Sequence, residues 1–269
     1  VGGIRVGNTN EYFGGIAEGE PLYQVVAFKM KHIIRTPEQL AAALYDSYSK
    51  GYNPDDGTTV KGRKNMGDYE WVNRPGTTKA VVNGEEVEQI NSEDKFVIGY
   101  SVPHSTGGFS NTFRYKGLSL NVYLDWAIGH TIRHAQMARQ FINTFTGNTA
   151  LNAGVLDTWS PQNPDAKYAR FYSGGESVSA NFKNDSDVFA FKGDYLCIRE
   201  LSLAWDLPKK FVSKLGMQGA SITLAGNNLH YFTAVPGVSP EVGTMSTNSA
   251  DYNNYPPIRR ISLGIKLIF

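Results

Sequence analysis

Apolar and polar side chains alternate most regularly at the end of the chain, in Arg260-Ile261-Ser262-Leu263-Gly264-Ile265-Lys266-Leu267-Ile268-Phe269. Successive side chains of a strand point to opposite faces. Ile261, Leu263, Ile265, Leu267 and Phe269 therefore share one face, and Arg260, Ser262, Gly264, Lys266 and Ile268 the other. The pattern predicts a strand of about ten residues, the length that crosses a bilayer as part of a barrel. The edge strand of a soluble sandwich alternates in the same way.

A second alternating stretch predicts a hairpin. Phe109, Asn111, Phe113 and Tyr115 share a face; after Lys116-Gly117 so do Leu118, Leu120, Val122, Leu124 and Trp126. A two-residue turn sets Tyr115 opposite Leu118, Phe113 opposite Leu120 and Phe109 opposite Leu124. The reverse side then pairs Arg114 with Ser119, Thr112 with Asn121 and Ser110 with Tyr123. Asn111 is the blemish on the apolar side. An apolar stripe that runs across a hairpin has to be covered, by a second sheet or by lipid. Tyr115 and Trp126, at its two ends, sit where interfacial aromatics flank an aliphatic band.

Further strands are expected at Gly3–Thr9, Leu22–Ile34, Tyr195–Asp206 (Leu201, Leu203 and Trp205 on one face) and Ala220 to about His230, about seven in all. Thr36-Pro37-Glu38-Gln39 reads as a capping box that opens a helix to about Asp46. Pro208–Leu215 reads as a short helical turn ended by Gly216. Tyr48–Glu93 and Thr131–Asp194 read as irregular. Connections thus alternate between tight turns, at Lys116-Gly117 and Asp206–Gly219, and long loops, about 35–104, 131–194 and 231–257. Outer-membrane barrels alternate short periplasmic turns with long extracellular loops in this manner. If Phe269 is periplasmic, the three long loops lie outside.

Composition narrows the classes. A net charge of +1 gives no argument for nucleic acid. One cysteine, Cys197, rules out an internal disulfide. No apolar run is long enough for a transmembrane helix, which leaves barrel strands open. The chain starts at Val1 without a signal peptide, as a mature form or a piece of something longer would.

Candidate chemistry is sparse. His130-x3-His134 has a two-histidine zinc spacing, but no third ligand follows, so no metal site is expected. Cys197 has no histidine partner in sequence and reads as a wall residue. The loop aromatics Tyr52, Trp71, Trp159 and Tyr172 are the ligand-binding candidates, by stacking on sugars or peptides; holding a long loop together is the commoner use. No catalytic residue, cofactor or enzymatic activity is expected.

A set of motifs then occurs in order along nearly the whole chain. They are Gly19-Glu20-Pro21-Leu22; Ile98-Gly99 to Pro103; Gly108 to Leu120; and Trp159-Ser160-Pro161-Gln162-Asn163-Pro164. Gly193-Asp194-Tyr195 through Lys210, Gly226-Asn227-Asn228-Leu229, Pro240-Glu241-Val242 and Tyr255-Pro256-Pro257-Ile258-Arg259-Arg260 follow. Together they resemble the C-terminal part of the SusC/RagA-like TonB-dependent outer-membrane transporters. Where family members often carry an acidic Asp-x-Asn-Gly-Asp-Gly loop, this chain has Asn83-Gly84-Glu85-Glu86-Val87, so no calcium site is carried over.

The resemblance implies an all-β fold, an antiparallel transmembrane segment of about one third of a 22-stranded barrel whose lumen holds a plug. It implies lipid contact for Phe113, Tyr115, Leu118, Leu120, Val122, Leu124, Trp126, Leu201, Leu203, Trp205, Ile261, Leu263, Ile265 and Leu267, and a barrel-assembly signal at Phe269. Implied partners are the rest of the barrel with its plug, a SusD-like surface lipoprotein, the TonB system through an N-terminal part absent here, and outer-membrane lipid. The implied function is uptake of a large nutrient, a glycan or an oligopeptide. Seven strands cannot close alone, and an open sheet in lipid leaves two edges of orphaned backbone groups at several kcal/mol each. Two other readings stay open: a porin or structural and assembly barrel subunit without TonB coupling, and a soluble carbohydrate-binding sandwich.

Overall fold

A computed structural model describes residues 13–46, 50–52, 59–76, 79–82, 84–142, 153–170, 185–241 and 257–269. The strands in chain order are β1 (Gln24–Phe28), β2 (Met30–Ile33), β3 (Tyr45–Asp46), β4 (Lys50–Tyr52), β5 (Thr59–Lys61), β6 (Tyr69–Trp71), β7 (Lys79–Val82), β8 (Glu85–Ile90) and β9 (Lys95–Tyr100). There follow β10 (Ser105–Tyr115), β11 (Leu118–Ile128), β12 (Thr131–Arg133), β13 (Ala190–Lys192), β14 (Tyr195–Asp206), β15 (Gly219–Thr233) and β16 (Arg260–Ile268). The chain divides into two compact units, one of Val1–Ser101, Thr131–Phe191 and Met245–Tyr252, the other of Val102–His130, Lys192–Thr244 and Asn253–Phe269.

The first unit is built from short sheets around an aromatic core. β1 pairs with β9, β2 with β6, β4 with β5, and β8 lies between β7 and a parallel β3. Phe28, Ile33, Tyr69, Trp71, Ile90, Phe141, Tyr168 and Phe189 are buried together. The helix Ala135–Ile142 contributes Met137, Ala138 and Phe141 to this core. Its first turn is capped by His134, whose Nδ1 accepts from the Met137 amide at 3.2 Å. The helix at Pro37–Ala41 has the expected capping box, with the Gln39 amide donating to Thr36 Oγ1. It ends well before Asp46, because Tyr45 and Asp46 are taken into parallel pairing with Gln89 and Ile90.

Further expectations for the strands of this unit do not hold. Leu22–Ile34 is not one wall strand. It forms β1 and β2, each in a separate small sheet of the first unit. The apolar run Val25-Val26-Ala27-Phe28 does not alternate because Val25, Ala27 and Phe28 are all buried. Tyr48–Glu93 is not irregular throughout, since it holds β4 to β8. The long connections expected over 35–104 and 131–194 supply most of the first unit, with a core of their own. The strand expected at Gly3–Thr9 lies outside the described residues.

The second unit is one antiparallel sheet in the order β10-β11-β14-β15-β16. The β10–β11 register is the one the sequence predicts, with Tyr115 opposite Leu118, Phe113 opposite Leu120 and Phe109 opposite Leu124. Lys116 (φ 45°) and Gly117 (φ 86°) are both left-handed, as the tight hairpin turn that matches strand twist requires. The β14–β15 connection is the expected short helical turn, Lys209–Val212 followed by Ser213–Leu215, and it ends at a left-handed Gly216. At this end the sheet is tied by Asp206 N–H to Gly117 C=O at 2.8 Å and Gln218 N–H to Ile268 C=O at 2.7 Å. Neither outer strand, β10 or β16, has a second partner strand among the described residues. The sheet is therefore not a closed barrel.

Candidate functional site

Register carries the alternation of each strand into rows across the sheet. Phe113, Leu120, Leu203, Leu224 and Leu263 stand side by side on the five strands. The row nearer the tight turns is Tyr115, Leu118, Trp205, Ile222 and Ile265. Beyond the leucine row lie Asn111, Val122, Leu201, Gly226 and Ile261, then Phe109, Leu124, Ile198 and His230. Gly107, Trp126, Leu196 and Phe232 form the last row. This face is bare: Leu203 is 44% exposed, Leu224 50% and Leu263 69%. Tyr115, Ile261, Ile265, Leu267 and Phe269 are at least as open as Leu224, and Leu120, Val122, Leu124 and Trp126 are half-buried.

Aromatic side chains mark both ends of the apolar face, Tyr115 and Trp205 at one and Trp126 and Phe232 at the other. Trp126 lies across Gly107, where an added Cβ would come within 2.3 Å of its ring. Eight residues along β11 separate the two aromatic rows, about 27 Å of strand. Inclined at about 40°, that is a little over 20 Å of height, close to the roughly 25 Å apolar band of an outer-membrane barrel.

The reverse face is small and polar. Arg114, Ser119, Ala204, Thr223 and Gly264 form one row, and Thr112, Asn121, Ser202, Ala225 and Ser262 the next. Thr112 Oγ1 donates to Asn121 Oδ1 at 2.7 Å.

Both apolar and polar faces persist past a fault in the register. Pairing shifts between Tyr123 and Leu124 on the β11 side of β14, and between Ile198 and Glu200 on its β15 side. Arg199 is the extra residue of this bulge. The step of three from Ile198 to Leu201 keeps Leu196 and Ile198 on the apolar face with Leu201, Leu203 and Trp205. Those first two, with Phe232, extend the apolar face beyond the residues read from sequence. Their signal is present in the chain as two in-phase alternating runs separated by three residues instead of two.

The bulge aims Arg199 across the polar face. Its Nε and Nη2 donate to the two oxygens of Asp125 at 2.8 and 2.7 Å. Nη1 donates to Asn228 Oδ1 at 2.9 Å and to Tyr231 Oη at 3.1 Å, and Nη2 also meets Glu241. Asn228 is held left-handed at φ 50°. One guanidinium thus ties β11, β14, β15 and the segment after β15 together. Cys197, fully buried, pairs with Asp125 and Tyr231 in the same part of the sheet.

Of the ligand-binding candidates, Trp71 and Trp159 both lie at the core of the first unit. Trp71 is 1% exposed and its ring packs on Tyr69 at 5.4 Å and Phe28 at 6.1 Å. Its faces are covered, so it holds the core of the first unit instead of stacking on a ligand. Trp159 packs against the same core and crowds Gly67, where a Cβ would lie 2.1 Å from its ring. Tyr52 pairs through its backbone with Thr59, and its side chain lies outside the described residues, as does all of Tyr172. Of the two histidines, His134 caps a helix, and His130 is buried with Nε2 3.3 Å from the Pro240 carbonyl. No group of three or more metal-ligating side chains is found among the described residues.

No protein-family model matches the chain. It is 26% identical over 230 residues to TonB-dependent receptor P3 of Formosa agariphila, covering 82% of this chain and 21% of the receptor. It is 29% identical over 197 residues to TonB-dependent receptor P26 of the same organism, covering 70% of this chain and 19% of that receptor. The chain is thus similar in sequence to TonB-dependent receptors. The SusC/RagA resemblance read from motifs is matched in fold: a structure of the RagAB peptide transporter superposes with a TM-score of 0.55 at 21% identity, over 82% of this chain and 25% of that one. The RagAB peptide importer in its "open-open" state gives 0.54 at 21% identity, over 82% of this chain and 24% of that one. The chain spans about a fifth of the length of the curated relatives it matches. No helix among the described residues is long and apolar enough to cross a membrane, which says nothing of a β-barrel.

Proposed function

We propose that the five-stranded sheet is a section of the wall of an outer-membrane barrel, and that the protein it serves imports a large nutrient in a TonB-dependent manner. The observation that carries this is the bare apolar face, five strands wide and bounded by aromatic rows, backed by a small polar face. A soluble sandwich buries such a face beneath a second sheet, whereas here its central leucines stand exposed. The two unpaired edges call for further strands of a larger barrel, because an orphaned edge does not survive in hydrocarbon. The lipid-facing set is the one read from sequence, with Leu196, Ile198, Ile222, Leu224 and Phe232 added. The polar face, with the Arg199 cluster, then lines the lumen, and the connections at the far end from the tight turns lead outside.

The relatives are TonB-dependent receptors, and the structural neighbour RagAB is a peptide transporter, which favours an oligopeptide over a glycan. A SusD-like surface lipoprotein acting as lid, and TonB coupling through another part of the protein, complete this reading. Spin labels test the wall. In the full-length protein in lipid, on a Cys197→Ser background, labels at Leu203→Cys and Leu263→Cys should relax with oxygen far more than with a water-soluble nickel complex. A label at Thr223→Cys should show the reverse. Nickel access at Leu203 and Leu263 equal to that at Thr223 would sink the proposal.

A further inference from the structure

The two connections at one end of the sheet concentrate unpaired positive charge beside the aromatic row. Lys116 occupies the β10–β11 turn, and Lys209, Lys210 and Lys214 the helical turn between β14 and β15; all four are exposed. Neither connection contains an acidic residue; Asp206, the last residue of β14, is the nearest in sequence. None of the four lysines makes an ion pair with another described residue. At the other end of the same sheet, by contrast, Arg199 is neutralised by Asp125 and Glu241. The lysine end is also unusually apolar for a solvated turn. Phe211 is 64% exposed and Leu215 72%, while Val212, at 2%, anchors the turn. Tyr115 and Trp205 stand at its edge, 69% and 43% exposed, and the Lys116 ammonium lies 5.1 Å from the centroid of the Tyr115 ring.

Lysines beside exposed aromatics, at the margin of an apolar face, are the arrangement that engages a charged membrane surface. We propose that this end of the sheet docks on the headgroups of anionic phospholipids, with the Lys209, Lys210, Lys214 and Lys116 ammonium groups binding phosphate oxygens and Phe211 and Leu215 seated at the acyl boundary. The inference rests on the wall reading, which brings lipid to the margin of Trp205. An acidic protein would satisfy the lysines but would leave no reason for bare Phe211 and Leu215 in continuity with the Tyr115–Trp205 row.

Trp205 supplies a reporter. The full-length protein is reconstituted in bilayers containing brominated phosphatidylglycerol or brominated phosphatidylcholine at equal mole fraction, and tryptophan quenching gives their relative affinity. An anionic surface adds about fivefold in affinity per nearby lysine, so the native protein should prefer phosphatidylglycerol roughly tenfold or more. The combined variant Lys209→Gln, Lys210→Gln, Lys214→Gln should bring the ratio within about twofold of unity, and the matching Arg variant should keep it. Because Trp126 on the same face also meets lipid, the Trp205 signal is taken as the part of the quenching that Trp205→Phe removes. A native ratio of one, or a preference that survives the Gln variant, overturns the proposal while leaving the wall intact. Absence of Trp205 quenching by either lipid instead overturns the wall reading on which it rests.

Discussion

Arg199 and Asp125 meet side-on, Nε to Oδ1 at 2.8 Å and Nη2 to Oδ2 at 2.7 Å, across the one place where the pairing of β11 and β14 slips. A bulge leaves a residue without a ladder partner, and here that residue's side chain restores the lost connection with two charge-assisted bonds. Asp125→Asn should lower the urea midpoint of the detergent-solubilised protein by the equivalent of about 1–3 kcal/mol, between the values for exposed and buried pairs. Arg199→Lys should recover less than half of what Arg199→Met loses, because an ammonium cannot engage both oxygens at once. A Lys variant as stable as the native protein would show that the fork geometry is immaterial.

The same bulge marks how far the sheet could be read from the chain. The β10–β11 register was legible down to single pairs, because a two-residue turn leaves no freedom once Lys116-Gly117 is placed. The apolar face of β14 was legible only from Leu201 onward. Alternation is a strictly two-residue signal, and an inserted Arg199 inverts its phase, so strict alternation from Leu201 does not reach Leu196 and Ile198.

Two turn glycines at the same end of the sheet should respond differently to alanine. Gly216 is left-handed at φ 74° with nothing within 4 Å of an added Cβ, so Gly216→Ala meets only the backbone penalty of about 1 kcal/mol. Gly117 is left-handed at φ 86°, and its added Cβ would lie 2.9 Å from the Asp206 carbonyl oxygen. That atom is backbone and cannot swing aside, so Gly117→Ala should cost clearly more, about 2 kcal/mol or above. Thermal unfolding of the two variants side by side checks the order.

In the first unit, Lys64 Nζ and Glu70 Oε2 are paired at 2.8 Å with side chains only 3% and 4% exposed. Removing one partner strands a charge in the interior. Lys64→Met should therefore destabilise by about 3–5 kcal/mol, and Lys64→Met with Glu70→Leu by much less. A double-mutant cycle on urea unfolding measures the difference; simple additivity would show that the pair is solvated after all.

That first unit was hardly legible at all. Its core brings Phe28, Trp71, Phe141, Tyr168 and Phe189 together from segments more than a hundred residues apart in places. Its strands are two to six residues long, too short for alternation to separate them from loop. The helix Ala135–Ile142 buries Ala135, Met137, Ala138 and Phe141, and two of those four are alanines that carry little apolar signal. Loop aromatics that looked free for ligand, Trp71 above all, are what such an assembly uses to fill its interior.

Acid titration should separate two half-buried groups of opposite effect. Burial lowers the pKa of His32 from its usual 6.5, only partly offset by Glu70, and its Nε2 is buried with no hydrogen-bond partner among the described residues. The unfolded chain then takes up the proton first, so stability should fall as pH drops from 6.5 toward the lowered folded value. Burial raises the pKa of Asp187 above its usual 3.8, against the opposing hydrogen bond from the Met30 amide at 2.9 Å. Here the folded state holds the proton longer, so stability is lost as pH rises from 3.8 through the raised value, and the loss persists at neutral pH. Asp187→Asn keeps an acceptor for Met30 without the charge, and should raise the melting temperature at about pH 7 while leaving that at about pH 4 nearly unchanged. His32→Gln should flatten the decline below pH 6.5 and leave the Asp187 contribution in place. A melting temperature at neutral pH that falls in Asp187→Asn would mean the half-buried carboxylate is held by more than its bond to Met30.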